Sequence, residues 1–188
     1  MICEKCACEF QASVPSSVNP ELQPELREKV LDGTLFLSRC PKCGATQLYN
    51  GHFLYHDPSL HLLLVLSKDS LLSNSLEGYT CRRVESVGEL IEKIKIFETG
   101  LDDIAVELCK FVTLQELGKQ VELKFFKMDG ADADLTFAYP EKGQMQMLEL
   151  PHNVYSDALS ILSRNPQLKE YSAGLAKIDQ QWLSHFLK

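Results

Sequence analysis

No stretch of these 188 residues has the roughly 18 consecutive apolar residues that a membrane-spanning helix needs; the longest apolar patch, His61 to Leu66, is strand length. Positive charge is also scarce. Lysine and arginine number 19 against 26 aspartates and glutamates, for a formal net charge of −7. The basic residues are scattered, and Arg82-Arg83 is their only adjacent pair. Nucleic-acid binding depends on Lys and Arg neutralising phosphates, so a basic stripe or tail would be expected and neither is present. Also missing are a P-loop, a glycine-rich dinucleotide loop, a Gly-x-Ser-x-Gly elbow and a His-Glu-x-x-His pair. There is no internal repeat and no low-complexity segment. What remains has 45% apolar and 24% charged residues, an ordinary globular composition long enough for one domain plus a small second one.

Cysteine is the exception to this plainness. Seven are present, and four form two Cys-x-x-Cys pairs, Cys3-Glu4-Lys5-Cys6 and Cys40-Pro41-Lys42-Cys43, separated by 33 residues. Two thiols spaced by two residues can bind one ion from a single tight turn, and two such knuckles close a tetrahedral four-thiolate zinc site. In the second knuckle Pro41 presets φ for the turn, and Gly44 can take the positive φ that curls the chain around the metal. The first knuckle is less regular, with Glu4 and Ala7 in those places. The expectation is one structural zinc ion on Cys3, Cys6, Cys40 and Cys43.

Other uses of the thiols stay open. A disulfide framework needs an oxidising compartment, and an odd cysteine count suits it poorly. With the first candidate ligand at residue 3 there is no room before it for a signal peptide, so the expected setting is the reducing cytoplasm. A redox Cys-Pro-x-Cys motif should open a helix, yet Gly44 to Asn50 is not amphipathic in that way. The site could also be empty. Cys8 is a fifth nearby thiol, read as a spare one in the loop; Cys81 and Cys109 are expected to be buried packing.

Elsewhere the chain alternates in period. Asn19-Pro20 starts a helix that Gly33 ends, and Leu35 to Arg39 is a strand delivering Cys40. Strands are expected over Thr46 to Tyr55, His61 to Leu66 and Tyr79 to Glu85, with Leu71 to Gly78 as a connection. Ser86-Val87-Gly88-Glu89 is a capping box opening a helix through Phe97, and a second helix runs from about Leu101 to Leu117. Glu89, Glu92 and Glu98, with Lys93 and Lys95, are expected to form a solvated face. Alternation in Val121 to Phe125, Leu135 to Tyr139 and Met145 to Met147 predicts an antiparallel meander, with both methionines in its core. A helix over Asn153 to Ser163 follows, and a tail helix near Ile178 to Leu187 carries the single Trp182.

The fold class that results is α+β: an N-terminal zinc ribbon with a mostly antiparallel sheet, a helix pair, and a C-terminal β-meander plus helix. The expected domains are residues 1–120 and a β-β-β-α extension, residues 121–188, standing apart or packed as one unit with the first.

The chain resembles the CpXC domain family, named for its two Cys-Pro-x-Cys motifs. The stretches that carry the likeness are Cys3-x-x-Cys6, Pro20-Glu21-Leu22, Leu31 to Phe36, Cys40-Pro41-Lys42-Cys43-Gly44, Leu54-Tyr55-His56-Asp57, Glu89 to Ile94 and Phe97 to Asp103. They cover about the first two-thirds, leaving the part from about Val121 as an addition. The resemblance implies a bacterial or archaeal domain with a metal site at Cys3, Cys6, Cys40 and Cys43, and it carries no activity with it. Glu4 stands where the family has proline, and Cys8 is extra to the motif.

Two functions follow as expectations. The first is a cytoplasmic interaction or adaptor module whose partner is another protein. The alternative is an enzyme with purely structural zinc and a cleft near His56 and Asp57, a titratable residue beside a carboxylate. A nucleic-acid-binding ribbon is weaker, given the acidic charge.

Overall fold

The computed structural model describes residues 1–49, 51–69 and 75–186. The chain divides into two compact units, residues 1–91 and 92–188, and the division falls inside one helix.

In the first unit, β1 (Ser17–Val18) is followed by α1 (Pro24–Leu31), a 3₁₀ turn at Thr34–Phe36, β2 (Leu37–Arg39), β3 (Thr46–Leu48), β4 (Phe53–Asp57), β5 (Leu62–Leu66) and β6 (Thr80–Val84). The expected helix start at Asn19 is a turn. The Asn19 Oδ1 accepts from the N–H groups of Glu21 and Leu22, and the helix proper waits until Pro24. Gly33 ends the segment in the left-handed region, at φ 78°, as a C-terminal glycine does. The expected strand from Thr46 to Tyr55 is two strands, β3 and β4, and the connection expected from Leu71 overlaps residues 70–74, outside the described ones.

β2 and β3 pair antiparallel. The remaining strands form a mixed sheet in the order β1-β4-β5-β6, with β4 and β5 antiparallel and both outer strands parallel to their neighbours. Alternation along β4 buries Phe53, Tyr55 and Asp57, and along β5 it buries Leu62, Leu64 and Leu66. The Phe36 ring meets that of Phe53 edge to face, 4.9 Å between centroids.

The helix α2 (Val87–Glu98) crosses from one unit to the other. Its capping box forms: Ser86 Oγ accepts from the Glu89 N–H, and Glu89 reaches back to the N–H of Glu85, one residue further than expected. The second unit continues with α3 (Asp103–Leu117), β7 (Lys124–Asp129), β8 (Asp134–Glu141), β9 (Gln144–Leu150), α4 (His152–Arg164), α5 (Pro166–Tyr171) and α6 (Gln180–Ser184). Asp102 caps α3 by accepting from the N–H groups of Ile104 and Ala105, and its own N–H donates to the Tyr155 hydroxyl of α4 at 2.8 Å. The three strands make the expected antiparallel meander. Leu135, Phe137, Leu123 and Phe125 bury one face of it in a core shared with α3, α4 and Leu183 of α6. The fold class is α+β.

Two expectations fail here. Met145 and Met147 are 66% and 49% exposed, because β9 turns that side of its alternation outward and buries Leu150 at its end. The supposed solvated face of α2 is also partly interior. Glu92 and Lys93 are buried, and they join Asp103, Glu107 and Lys110 of α3 in a chain of ion pairs. Lys93 meets Asp103 at 2.8 Å, and Lys110 bridges Glu92 at 2.5 Å and Glu107 at 2.9 Å. Lys124 of β7 reaches Glu92 at 3.4 Å, Gln180 of α6 donates to Glu107, and the Phe125 N–H donates to Glu92. Three carboxylates thus face three ammonium groups. Burial raises the Glu92 carboxyl, but Lys110, Lys124 and the Phe125 N–H outweigh it and hold the group below its ordinary value.

Candidate metal centre

The two knuckles lie in the first unit and share one backbone plan. In the second, the Gly44 N–H donates to Cys40 O at 2.9 Å and the Cys40 N–H donates to Ala45 O at 2.8 Å. In the first, the Ala7 N–H donates to Cys3 O at 2.8 Å and the Cys3 N–H donates to Cys8 O at 2.9 Å. Gly44 has φ 71° and Ala7 has φ 54°. The first knuckle therefore makes the same turn without glycine, at a strain of about 1–2 kcal/mol for a side chain in the left-handed region.

Gln47 joins the knuckles. From β3 its Oε1 accepts from the Glu4 N–H at 3.1 Å, and its Nε2 donates to Ile2 O at 3.0 Å. Its amide thus clasps the backbone of the first hairpin to the strand that follows the second. No motif marks this residue; only its position after Cys43 could have drawn attention to it.

The result is a single cluster of four sulfurs. The Sγ atoms of Cys3, Cys6, Cys40 and Cys43 all lie within 4.8 Å of one another. Cys3 and Cys43 are 3.6 Å apart, and Cys6 and Cys40 3.7 Å. Four sulfurs held tetrahedrally at roughly 2.3 Å from one zinc ion would be about 3.8 Å apart, so the arrangement fits the ion. All seven cysteines are free thiols.

The electrostatics favour a cation. Cys40 is brought down to about 6, first by the N–H of Cys43 and then by that of Lys42 and the thiols of Cys3 and Cys43, against the effect of burial. Cys6 moves the other way, up to about 12. The Cys8 N–H pulls it down, but burial and its bonds to the Cys43, Cys3 and Cys40 sulfurs outweigh that. One negative charge is thus accommodated by bonds from its neighbours, and further thiolates in the same space repel it unless a cation sits among them.

A family model described as CpXC protein matches residues 1–110, more than half of the chain. The chain belongs to the CpXC family. No curated protein and no solved structure matches it. The CpXC match takes in both knuckles and the whole mixed sheet, and ends within α3.

The other expected residues are placed as follows. Cys8 is half-buried beside the cluster and outside the group of four; burial and then the charge at Cys40 raise its thiol. Cys81 and Cys109 are buried. His56 and Asp57 are consecutive in β4, so their side chains leave opposite faces of the strand. Asp57 Oδ1 accepts from the N–H and hydroxyl of Ser59 and the N–H of Leu60, which commits it to the turn before β5. The His56 ring lies 5.3 Å from that of Tyr79, and its buried Nε2 has no hydrogen-bond partner among the described residues. Among the described residues, no helix is long and apolar enough to cross a membrane.

Proposed function

We propose that Cys3, Cys6, Cys40 and Cys43 hold one zinc ion in a closed structural site, and that the domain so stabilised serves as a cytoplasmic interaction or adaptor module. The observation that carries the metal reading is the set of four sulfurs within 4.8 Å of one another, with two pairs at 3.6 and 3.7 Å, on two matched knuckles. Sulfur-only donors select a soft or borderline metal, and four of them leave no open position for a substrate or an activated water. When bound, zinc would supply cross-linking and charge neutralisation. Seven free thiols suit a reducing compartment.

The alternative, an enzyme with a cleft near His56 and Asp57, draws less support. Asp57 is occupied by its turn, which leaves His56 without that carboxylate as an orienting partner.

The test is metal analysis of protein purified without added metal, with thiols counted after denaturation in the presence of the metal. About one zinc per chain and three reactive thiols are expected. Iron in its place would move the site to electron transfer. No metal, with Cys40 and Cys43 oxidised to each other, would overturn the structural reading in favour of thiol redox chemistry.

A further inference from the structure

Within the second unit, α3 and α4 leave a cavity of about 210 Å³ between them. Its floor is apolar and buried: Leu108, Cys109, Leu150 and Ala158. Burial pushes the Cys109 thiol up to about 12, so it lines the floor as a neutral group. Val112 and Ile161, both exposed, extend the apolar surface to the mouth. Two exposed carboxylates, Glu116 on α3 and Asp157 on α4, complete the wall, and neither makes an ion pair among the described residues. Thr113, only 5% exposed, also lines the cavity, and its Oγ1 has no hydrogen-bond partner among the described residues.

We propose that this cavity is the docking pocket for a lysine side chain on an apolar segment of a partner protein. The volume is below the roughly 300–1,000 Å³ of pockets that enclose drug-sized ligands, and it suits one long side chain. An apolar floor with acidic groups near the opening matches lysine's own division, a four-carbon stem ending in a charge that stays near water. The two carboxylates belong to different helices, so they act as separate acceptors. A compact ammonium with three rotatable donors can serve separate acceptors, whereas the planar arginine fork is matched to a single carboxylate. The exposed Val112 and Ile161 beside the mouth call for apolar residues flanking that lysine. A buried anchor in a pocket surrounded by weaker contacts is how interfaces concentrate their affinity. The pocket gives the adaptor reading a contact surface, and it stands or falls separately from the metal, since each has its own measurement.

The experiment titrates isotope-labelled full-length protein with acetyl-Ala-Leu-Lys-Leu-Ala-amide and follows amide chemical shifts. A matching peptide with norleucine for lysine, and n-hexylammonium alone, are the controls. The expected result is saturable shifts at Leu108, Thr113, Val154 and Ala158. The norleucine peptide should bind about five- to tenfold more weakly, as two partly exposed charge contacts allow. Replacing both exposed carboxylates (E116Q with D157N) should bring the lysine peptide down to the norleucine level and leave the norleucine peptide unchanged; dispersion of the same spectra shows whether the variant is folded. T113V, which keeps both charges, should weaken the lysine peptide less. Equal binding of the two peptides, or shifts scattered away from α3 and α4, would overturn the proposal. So would hexylammonium binding where the peptide does not, which would make the cavity a small-amine site.

Discussion

The first 49 residues and the second unit of this chain are held together by different means. In the former, the strands of the ribbon are three residues long, Leu37 and Leu48 are exposed, and few side chains are fully buried: Val18, Val30, Phe36 and the clustered Cys3 and Cys40 among them. A two-stranded hairpin of that size does not stand on its own in water. In the second unit, helices and a three-stranded sheet share one apolar core, and a row of buried ion pairs runs through it. A region that lacks the residues to build a core needs a cross-link, while a region that has a core can tolerate charges inside it, provided each finds its opposite.

The sharpest way to break the comparison is to remove the metal. A strong zinc chelator under reducing conditions should abolish amide protection in the two knuckles and the β2–β3 hairpin and leave it intact in residues 92–188. Structural zinc in small domains is worth about 10–16 kcal/mol of apparent binding energy, and where no core stands behind it that energy is folding energy. Hydrogen exchange reads both regions in one experiment. Unchanged protection around Cys3 and Cys40 would mean that the ribbon holds without metal.

The reverse manipulation is Lys110→Ala. It leaves Glu92 and Glu107 buried with their central counter-charge gone, and breaking such a pair costs about 3–5 kcal/mol. Trp182 is the only tryptophan and belongs to the second unit, so its fluorescence during denaturant unfolding reports that unit alone. The midpoint should fall while zinc content stays the same. A loss below about 1 kcal/mol, the range of exposed pairs, would show that water reaches the network.

Asp102→Ala should have the smallest effect, about 1 kcal/mol, through loss of the α3 cap, and Asp102→Asn should recover most of it. The same fluorescence measurement checks it. If the asparagine variant were as unstable as the alanine one, charge at the helix start would matter more than the cap.

What could be read in advance was whatever depends on near neighbours along the chain. Cys-x-x-Cys needs only its own spacing; the Ser86–Glu89 box needs four residues; the meander needs only alternation. Burial of Glu92 and Lys93 depends instead on α3 presenting Asp103, Glu107 and Lys110 to them, with Lys124 arriving from a strand about 30 residues on. On a single helix, mixed charges have the pattern of a wet surface. The clue was a polar stripe at positions 103, 107 and 110 in a stretch, residues 103–112, that is otherwise apolar. Met145 and Met147 failed for a related reason: alternation shows that a strand has two faces, without showing which one finds a core. Gln47 carried no signal beyond its position after Cys43, since its two bonds exist only once both knuckles are in place.

The separation of the knuckles also sets a schedule. A ribosome adding about 5–20 residues per second needs roughly 2–7 seconds to pass from the first pair to the second. During that interval Cys3 and Cys6 are a half-built chelate, with Cys8 two residues away as a competing donor. On the proposed zinc reading, the nascent chain cannot complete the four-thiolate site until Cys43 emerges. Any ion held by the first pair alone therefore stays exchangeable until the second pair has been made.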